Sequence, residues 1–311
     1  MKIGIVGAGF VGSTAAYALA LEGIGQEIIL VDINEALARA QAEDILHATP
    51  YTNAIRIGAG GFESLSDASV IILACGVNQQ EGESRLHLLE RNAAIFREVV
   101  GRLVVVAPRA VLVVASNPVD VITQITLGVA EYPAHRVIGS GTILDTARFR
   151  SLVGQHMRVS PRSVHAYVLG EHGDSEVLIW SSAHLGGVPL LDFAKQIGRP
   201  ITDEIRHTID DGVRHAAGRI IAGKGATYYG IASGLARIVR AIRDDEGAVL
   251  TVSGRCSSAH PDVAGVCLSV PRIIGAGGIA QEIWPALSAR EHEELVGSAE
   301  IIKNAAAQVG C

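Results

Sequence analysis

The chain has 311 residues, 49% hydrophobic and 19% charged, which is enough apolar material for one large or two ordinary domains and excludes a disordered chain. Its 26 basic and 32 acidic residues leave a formal charge of −6, which argues against a general nucleic-acid binder, because phosphate recognition needs clustered positive charge. Four cysteines (Cys75, Cys256, Cys267, Cys311) are too few and too scattered for a disulfide framework and form no CxxC pair for zinc, so no metal is expected and a reducing cytoplasm is the simplest compartment. No run reaches 18 apolar residues, so no membrane span is expected. Lys2 and the mostly apolar run to Ala20 loosely mimic a signal peptide, but Gly7, Gly9 and Gly12 interrupt it, and cleavage would remove a motif the next segment needs.

In chain order, short apolar runs at 3–6, 28–31, 70–73, 111–114 and 137–138 are bounded by Gly, Asp, Asn or Pro and read as buried strands. Helical patterns lie between them at 11–22, 35–47, 86–105 and 119–129. Unbroken apolar strands suit a parallel sheet covered on both faces, so the βα alternation predicts a Rossmann-type, doubly wound α/β domain over residues 1–140. Residues 141–311 read as an α+β domain. Helices are predicted at 144–153, 201–222, 226–243 and 289–309, with strands at 163–169 and an antiparallel pair at 248–252 and 265–270. With no linker or repeat between them, the halves are expected to share a broad interface, a favoured place for a ligand cleft.

The motif Gly7-Ala8-Gly9-Phe10-Val11-Gly12 follows a predicted strand, opens a predicted helix, and stands 20 residues before Asp32. In that context a GxGxxG is a dinucleotide fingerprint. Gly7 makes the tight turn, Gly9 lets backbone approach the pyrophosphate, and Gly12 permits close helix–strand packing. The helix N-terminus offers free N–H groups to phosphate. Asp32 would accept the adenosine ribose hydroxyls and repel a 2′-phosphate, which favours NAD over NADP.

Candidate reacting groups follow the later strands, whose carboxyl ends line the ligand crevice in such sheets. The polar segment 76–85 reads as a loop able to close over a substrate and expel water. Arg85 at its end either carries a guanidinium into the site or occupies the first turn of an exposed helix. Asn117, between a strand and Pro118, is either a turn residue or a donor to a substrate oxygen beside the nicotinamide. Asp145 and Arg148 are three apart on a predicted helix and share a face. They read either as a surface ion pair or as two tools, with Arg148 gripping a carboxylate through parallel hydrogen bonds and Asp145 orienting a histidine. That histidine would be His172, in Gly170-Glu171-His172-Gly173-Asp174. A carboxylate fixes the tautomer of an imidazole and favours its protonated form, so it can give and take a proton near neutral pH.

Together the segments SNPVD (116–120), GTILDTARFR (141–150), GEHGDSE (170–176) and KGATYYGIA (224–232) resemble the lactate/malate dehydrogenase family over essentially the whole chain, most closely its bacterial lactate branch. The resemblance implies that His172 is the proton donor and acceptor, that Asp145 supports it, and that Arg148 binds the substrate carboxylate. It implies that Arg85 polarises the reacting carbonyl, that Asn117 lies near that oxygen, and that Thr227 lines the substrate pocket. Val11, Asp32, Gly76, Val77, Ser116 and Ser140 fall where the family contacts NAD. Leu37 departs from the many members that carry Lys or Arg near the adenosine phosphate.

Gln79 occupies the position that separates substrates in this family, where malate-specific members usually carry Arg. A neutral amide cannot pair a second carboxylate, and enclosing that charge unpaired costs several kcal/mol. Gln79 therefore favours pyruvate and lactate over oxaloacetate and malate. A malate-oxidising member and a non-catalytic NAD(H)-sensing regulator are the alternatives, since a nucleotide fingerprint alone proves only binding. The resemblance further implies a homotetramer, with Arg150 and His165 at positions where allosteric members bind fructose 1,6-bisphosphate.

Overall fold

The computed structural model describes residues 1–77, 82, 84–129 and 132–310. Its first half alternates β1 (Lys2–Val6), α1 (Phe10–Leu21), β2 (Glu27–Val31), α2 (Glu35–Ala48), β3 (Arg56–Ala59), β4 (Val70–Leu73), α3 (Arg85–Val106), β5 (Val111–Val114), α4 (Val119–Val129) and β6 (Val137–Gly139). β4, β5 and β6 are buried at every residue, which is why their sequences are unbroken apolar runs. Neighbouring strands pair in parallel in the order β3-β2-β1-β4-β5-β6, the doubly wound arrangement expected from the sequence. All six carboxyl ends therefore face one edge. β3 was not expected: it is an edge strand with only Ile57 buried, so it carries little apolar signal.

The second half contains α5 (Ile143–Met157), β7 (Val164–Leu169), β8 (Val177–Leu185), β9 (Val188–Pro189), α6 (Leu190–Gln196), α7 (Asp203–Arg214), α8 (Ala216–Lys224), α9 (Tyr229–Arg243), β10 (Ala248–Arg255), β11 (Cys267–Gly275), β12 (Gly278–Glu282) and α10 (Ala289–Gln308). β7, β8 and β9 form a small antiparallel sheet. The antiparallel strands β10, β11 and β12 do not stand apart. Ser253 of β10 pairs with Gly139 of β6, so one nine-stranded sheet runs past residue 140.

The core also crosses that point. Leu235, Val239 and Ile242 of α9 join Ile3, Ile5, Ala15 and Leu19 on one face of the parallel sheet. On the other face, Leu295 and Ile302 of α10 join Phe96 and Leu103 of α3 and Ile122 of α4. Burying an aliphatic or aromatic side chain of this kind contributes about 1.5–3 kcal/mol. The second half thus supplies part of the cover of the nucleotide-binding sheet.

The single helix expected over 201–222 is broken at His215, between α7 and α8. Arg219 reaches back across the break. Its guanidinium donates to the Gly212 carbonyl at 2.9 Å, an oxygen that an uninterrupted helix would use internally. Among the described residues no helix is long and apolar enough to cross a membrane.

Candidate active site

The glycine turn between β1 and α1 is shaped by steric exclusion. Gly7 has φ +101°, and a Cβ there would meet the Ala74 carbonyl oxygen at 2.5 Å. A Cβ on Gly12 would lie 1.8 Å from the Gly7 carbonyl oxygen, so only glycine lets α1 start this close to its strand. A Cβ on Gly9 would meet nothing within 4 Å and points into open space at the sheet edge. No side chain caps α1, so its first N–H groups remain available for an anion. Asp32 follows β2 and takes the Ala8 N–H at 2.6 Å and the Asn34 N–H at 2.8 Å. Its carboxylate therefore ties the turn to β2, and each oxygen keeps acceptor capacity for a ribose hydroxyl. An open space over Gly9, an uncapped helix start and a carboxylate at the next strand end fit NAD.

The ends of β4, β5 and β6 continue the crevice. Ser116 Oγ donates to the Cys75 carbonyl, joining the segments after β4 and β5. Asn92 of α3 is buried, and its side-chain oxygen accepts the Val77 N–H at 2.9 Å. Asn92 shapes this turn, yet nothing in its sequence context distinguishes it from an ordinary polar helix residue.

The candidate catalytic group is assembled from distant elements. Asp145 in the first turn of α5 is buried; its Oδ1 accepts from Arg148 Nη1 at 2.7 Å, and its Oδ2 lies 2.6 Å from His172 Nδ1. His172 sits between β7 and β8 on a segment pinned from three sides. Gly170 exchanges backbone hydrogen bonds with Ser269 of β11, Ser298 Oγ of α10 accepts the Glu171 N–H, and buried Asp120 of α4 accepts the His172 N–H at 2.7 Å. Asp120 belongs to the SNPVD segment, but its bond to a residue 52 positions away carries no local signal.

A cleft of about 380 Å³ collects Val11, Gly76, Val77, Ser116, Asn117, Ser140, Arg148, His172 and Thr227. Thr227 reaches it because α9 starts at Tyr229, not at the expected 226, leaving the preceding residues outside the helix. Leu144, Ala217, Ile221 and Ile231 add apolar lining that the sequence did not single out. Arg150 and His165 lie outside this cleft. Arg150 Nε donates to the Ala166 carbonyl at 2.9 Å with its guanidinium carbon 5.3 Å from the centre of the Tyr167 ring, and His165 is exposed on β7, opposite His184. Gln79 and the side chain of Arg85 lie outside the described residues; the Arg85 backbone opens α3 behind the Ser84 cap.

The electrostatics favour an ion pair. Burial disfavours charge on His172, but the Asp145 charge and hydrogen bond outweigh it, with help from Asp120 and Glu176, and push the imidazole up to about 9. Burial likewise opposes ionisation of Asp145, and His172 and Arg148 overcome it, holding the carboxyl below its ordinary value. Asp120 is pushed up to about 6, chiefly by burial. A protonated imidazole beside a fixed guanidinium, at the edge of a dinucleotide crevice, can bind an anionic substrate and exchange a proton with it.

A nucleotide crevice joined to a carboxylate-held histidine defines a dinucleotide-dependent oxidoreductase. Family models agree: residues 1–139 match the lactate/malate dehydrogenase NAD binding domain and residues 142–310 the alpha/beta C-terminal domain. The L-lactate dehydrogenases of Allorhizobium ampelinum and Thermus aquaticus are each 55% identical to the chain, with all of both chains covered. The crystal structure of the minor L-lactate dehydrogenase of Enterococcus mundtii superposes with a TM-score of 0.94 at 38% identity, covering 99% of this chain and 98% of that one. The chain belongs to the lactate/malate dehydrogenase family.

Proposed function

We propose that the chain is an NAD-dependent L-lactate dehydrogenase that interconverts (S)-lactate and pyruvate, with His172 as proton donor and acceptor. The observation that carries the reading is the buried Asp145 carboxylate, shared between His172 Nδ1 at 2.6 Å and Arg148 Nη1 at 2.7 Å. NAD, when bound, supplies the hydride chemistry at substrate C2. The protein's residues do the rest. Arg148, with one nitrogen anchored on Asp145, turns its remaining donors to the substrate carboxylate. Asp145 fixes His172 with Nδ1 inward, which leaves Nε2 to protonate O2 of pyruvate or to take the proton from lactate. Asp145 stays ionised throughout and stabilises the imidazolium. Asn117 and Arg85 assist at the carbonyl oxygen, where preorganised donors stabilise developing charge. Thr227 shapes the pocket beside the substrate, and Gln79 is the specificity position that the family resemblance assigns.

The lactate assignment is supported by Gln79 and by the names of the similar proteins. Steady-state NADH oxidation is expected to favour pyruvate clearly over oxaloacetate, and Gln79→Arg is expected to move specificity toward oxaloacetate. A wild-type preference for oxaloacetate defeats the assignment; NADH binding without turnover points to the regulator instead. The same reading includes a cytoplasmic homotetramer activated by fructose 1,6-bisphosphate. The support for an anion site there is the pairing of an arginine with a protonatable histidine at positions where allosteric family members bind the bisphosphate. Added bisphosphate should lower the pyruvate KM, and Arg150→Gln should abolish that response in an assay that follows initial rates.

A further inference from the structure

Glu176 is a buried carboxyl that the reaction above does not use. It immediately precedes β8, 4% exposed, with Oε1 buried and without a hydrogen-bond partner. Its carboxyl, the Asp145 carboxylate and a ring nitrogen of His172 all lie within 4.8 Å of one another. The groups that bear on it come from three directions: Asp145 and Arg148 from α5, His172 from its own segment, and Arg214 from α7. On its other side Glu176 lines a second cleft of about 730 Å³ between α7 and α10, which Asp210 and Glu294 also line. Glu176 therefore lies beside the Asp145–His172 pair and also lines a groove that is not the substrate cleft.

We propose that Glu176 is a positioning residue that sets the proton affinity of His172 from behind, and that it exchanges its own proton with the α7–α10 groove rather than through the substrate cleft. This rests on the lactate dehydrogenase reading.

Burial and the Asp145 charge push Glu176 up to about 8, against the opposing pull of Arg214, His172 and Arg148. At neutral pH it is uncharged and leaves the imidazole to Asp145. As pH rises through 8 it ionises, and a second negative charge behind the ring favours imidazolium. An opposite charge within about 4–6 Å moves a pKa by about 1–3 units. Two groups coupled in this way lose their protons in two macroscopic steps. Pyruvate reduction, which draws on the His172 proton, thus persists to higher pH than Asp145 alone would allow. The groove lets Glu176 equilibrate while substrate fills the other cleft.

The test is the pH profile of kcat/KM for pyruvate reduction between pH 6 and 10, in wild type, Glu176→Gln and Glu176→Asp. The alkaline limb should move down by about one pH unit in the glutamine variant. It should return toward wild type in the aspartate variant, which keeps an ionisable carboxyl. A limb that stays put in Glu176→Gln overturns the proposal, as does an aspartate variant that behaves like glutamine. Should the variants not fold, the wild-type chain still decides: the 15N shifts of the His172 ring should titrate in two steps, and a single step overturns the proposal. A wild type that binds NADH but does not reduce pyruvate defeats the lactate dehydrogenase reading, while the ring titration still decides the role of Glu176.

Discussion

The two ends of the site are built by different means. At the cofactor end, six contiguous residues and one Asp 20 positions later make a strand–turn–helix, and exclusion of side chains does the shaping: the Gly7 carbonyl leaves no room for a Cβ on Gly12. At the catalytic end, Asp145 and Arg148 share one turn of α5, but His172 comes from a segment 27 residues further on. α4, α5, α10 and β11 all hold the segment that carries His172. The first end is specified by backbone shape and the second by buried charge, so they should fail in different ways when altered.

The largest effect should come from the catalytic end. His172→Ala removes the proposed proton donor, and turnover of pyruvate should fall by about 10²–10⁴-fold. NADH affinity, read by fluorescence titration, should stay close to wild type. Loss of both together would show that the two ends are not separable. Gly12→Ala should produce the opposite pattern. A methyl group 1.8 Å from a carbonyl oxygen forces the backbone to shift, at about 1–3 kcal/mol for such overpacking. Urea unfolding should register that loss, and NADH affinity should fall with it, while the His172 pH dependence survives in the protein that remains saturable.

A smaller effect separates the ends by pH. His172 is raised from 6.5 to about 9, so its contribution to stability is complete below pH 6.5 and is lost as pH rises through 9. Glu176 is raised as well, from 4.5 to about 8, and acts in the same direction at lower pH. The free energy of unfolding of wild type should therefore decline between pH 6.5 and 9, by at most about 1.4 kcal/mol per pH unit for each proton involved. His172→Gln should flatten that decline, leaving the part due to Glu176. An identical slope in the two proteins would show that the pair does not couple to folding.

The fold of the first half was legible because each buried strand writes itself as an apolar run with a turn residue at its end. β3 escaped because an edge strand such as Arg-Ile-Gly-Ala needs little burial. The break at His215 escaped because helical periodicity runs on across a one-residue interruption, and the Arg219 bond back to the Gly212 carbonyl is a contact that periodicity does not register. Of the site, the fingerprint was readable from spacing, and Asp145, Arg148 and His172 from residue type together with family resemblance. Asp120, Asn92 and Glu176 were not singled out. Each acts across a tertiary contact, and a buried carboxyl looks the same in sequence as a solvated one.

The shared sheet has one more consequence. Because α9 and α10 cover opposite faces of the nucleotide-binding strands, and β10 closes the flank of β6, residues 1–140 on their own would expose raw apolar faces and an open hydrogen-bonding edge. The two halves should therefore unfold as one cooperative unit. Energy gained when the nucleotide docks is distributed to the whole chain, so a cofactor-loaded molecule should melt at a higher temperature in a single transition, with the histidine segment the beneficiary of a ligand it does not hold.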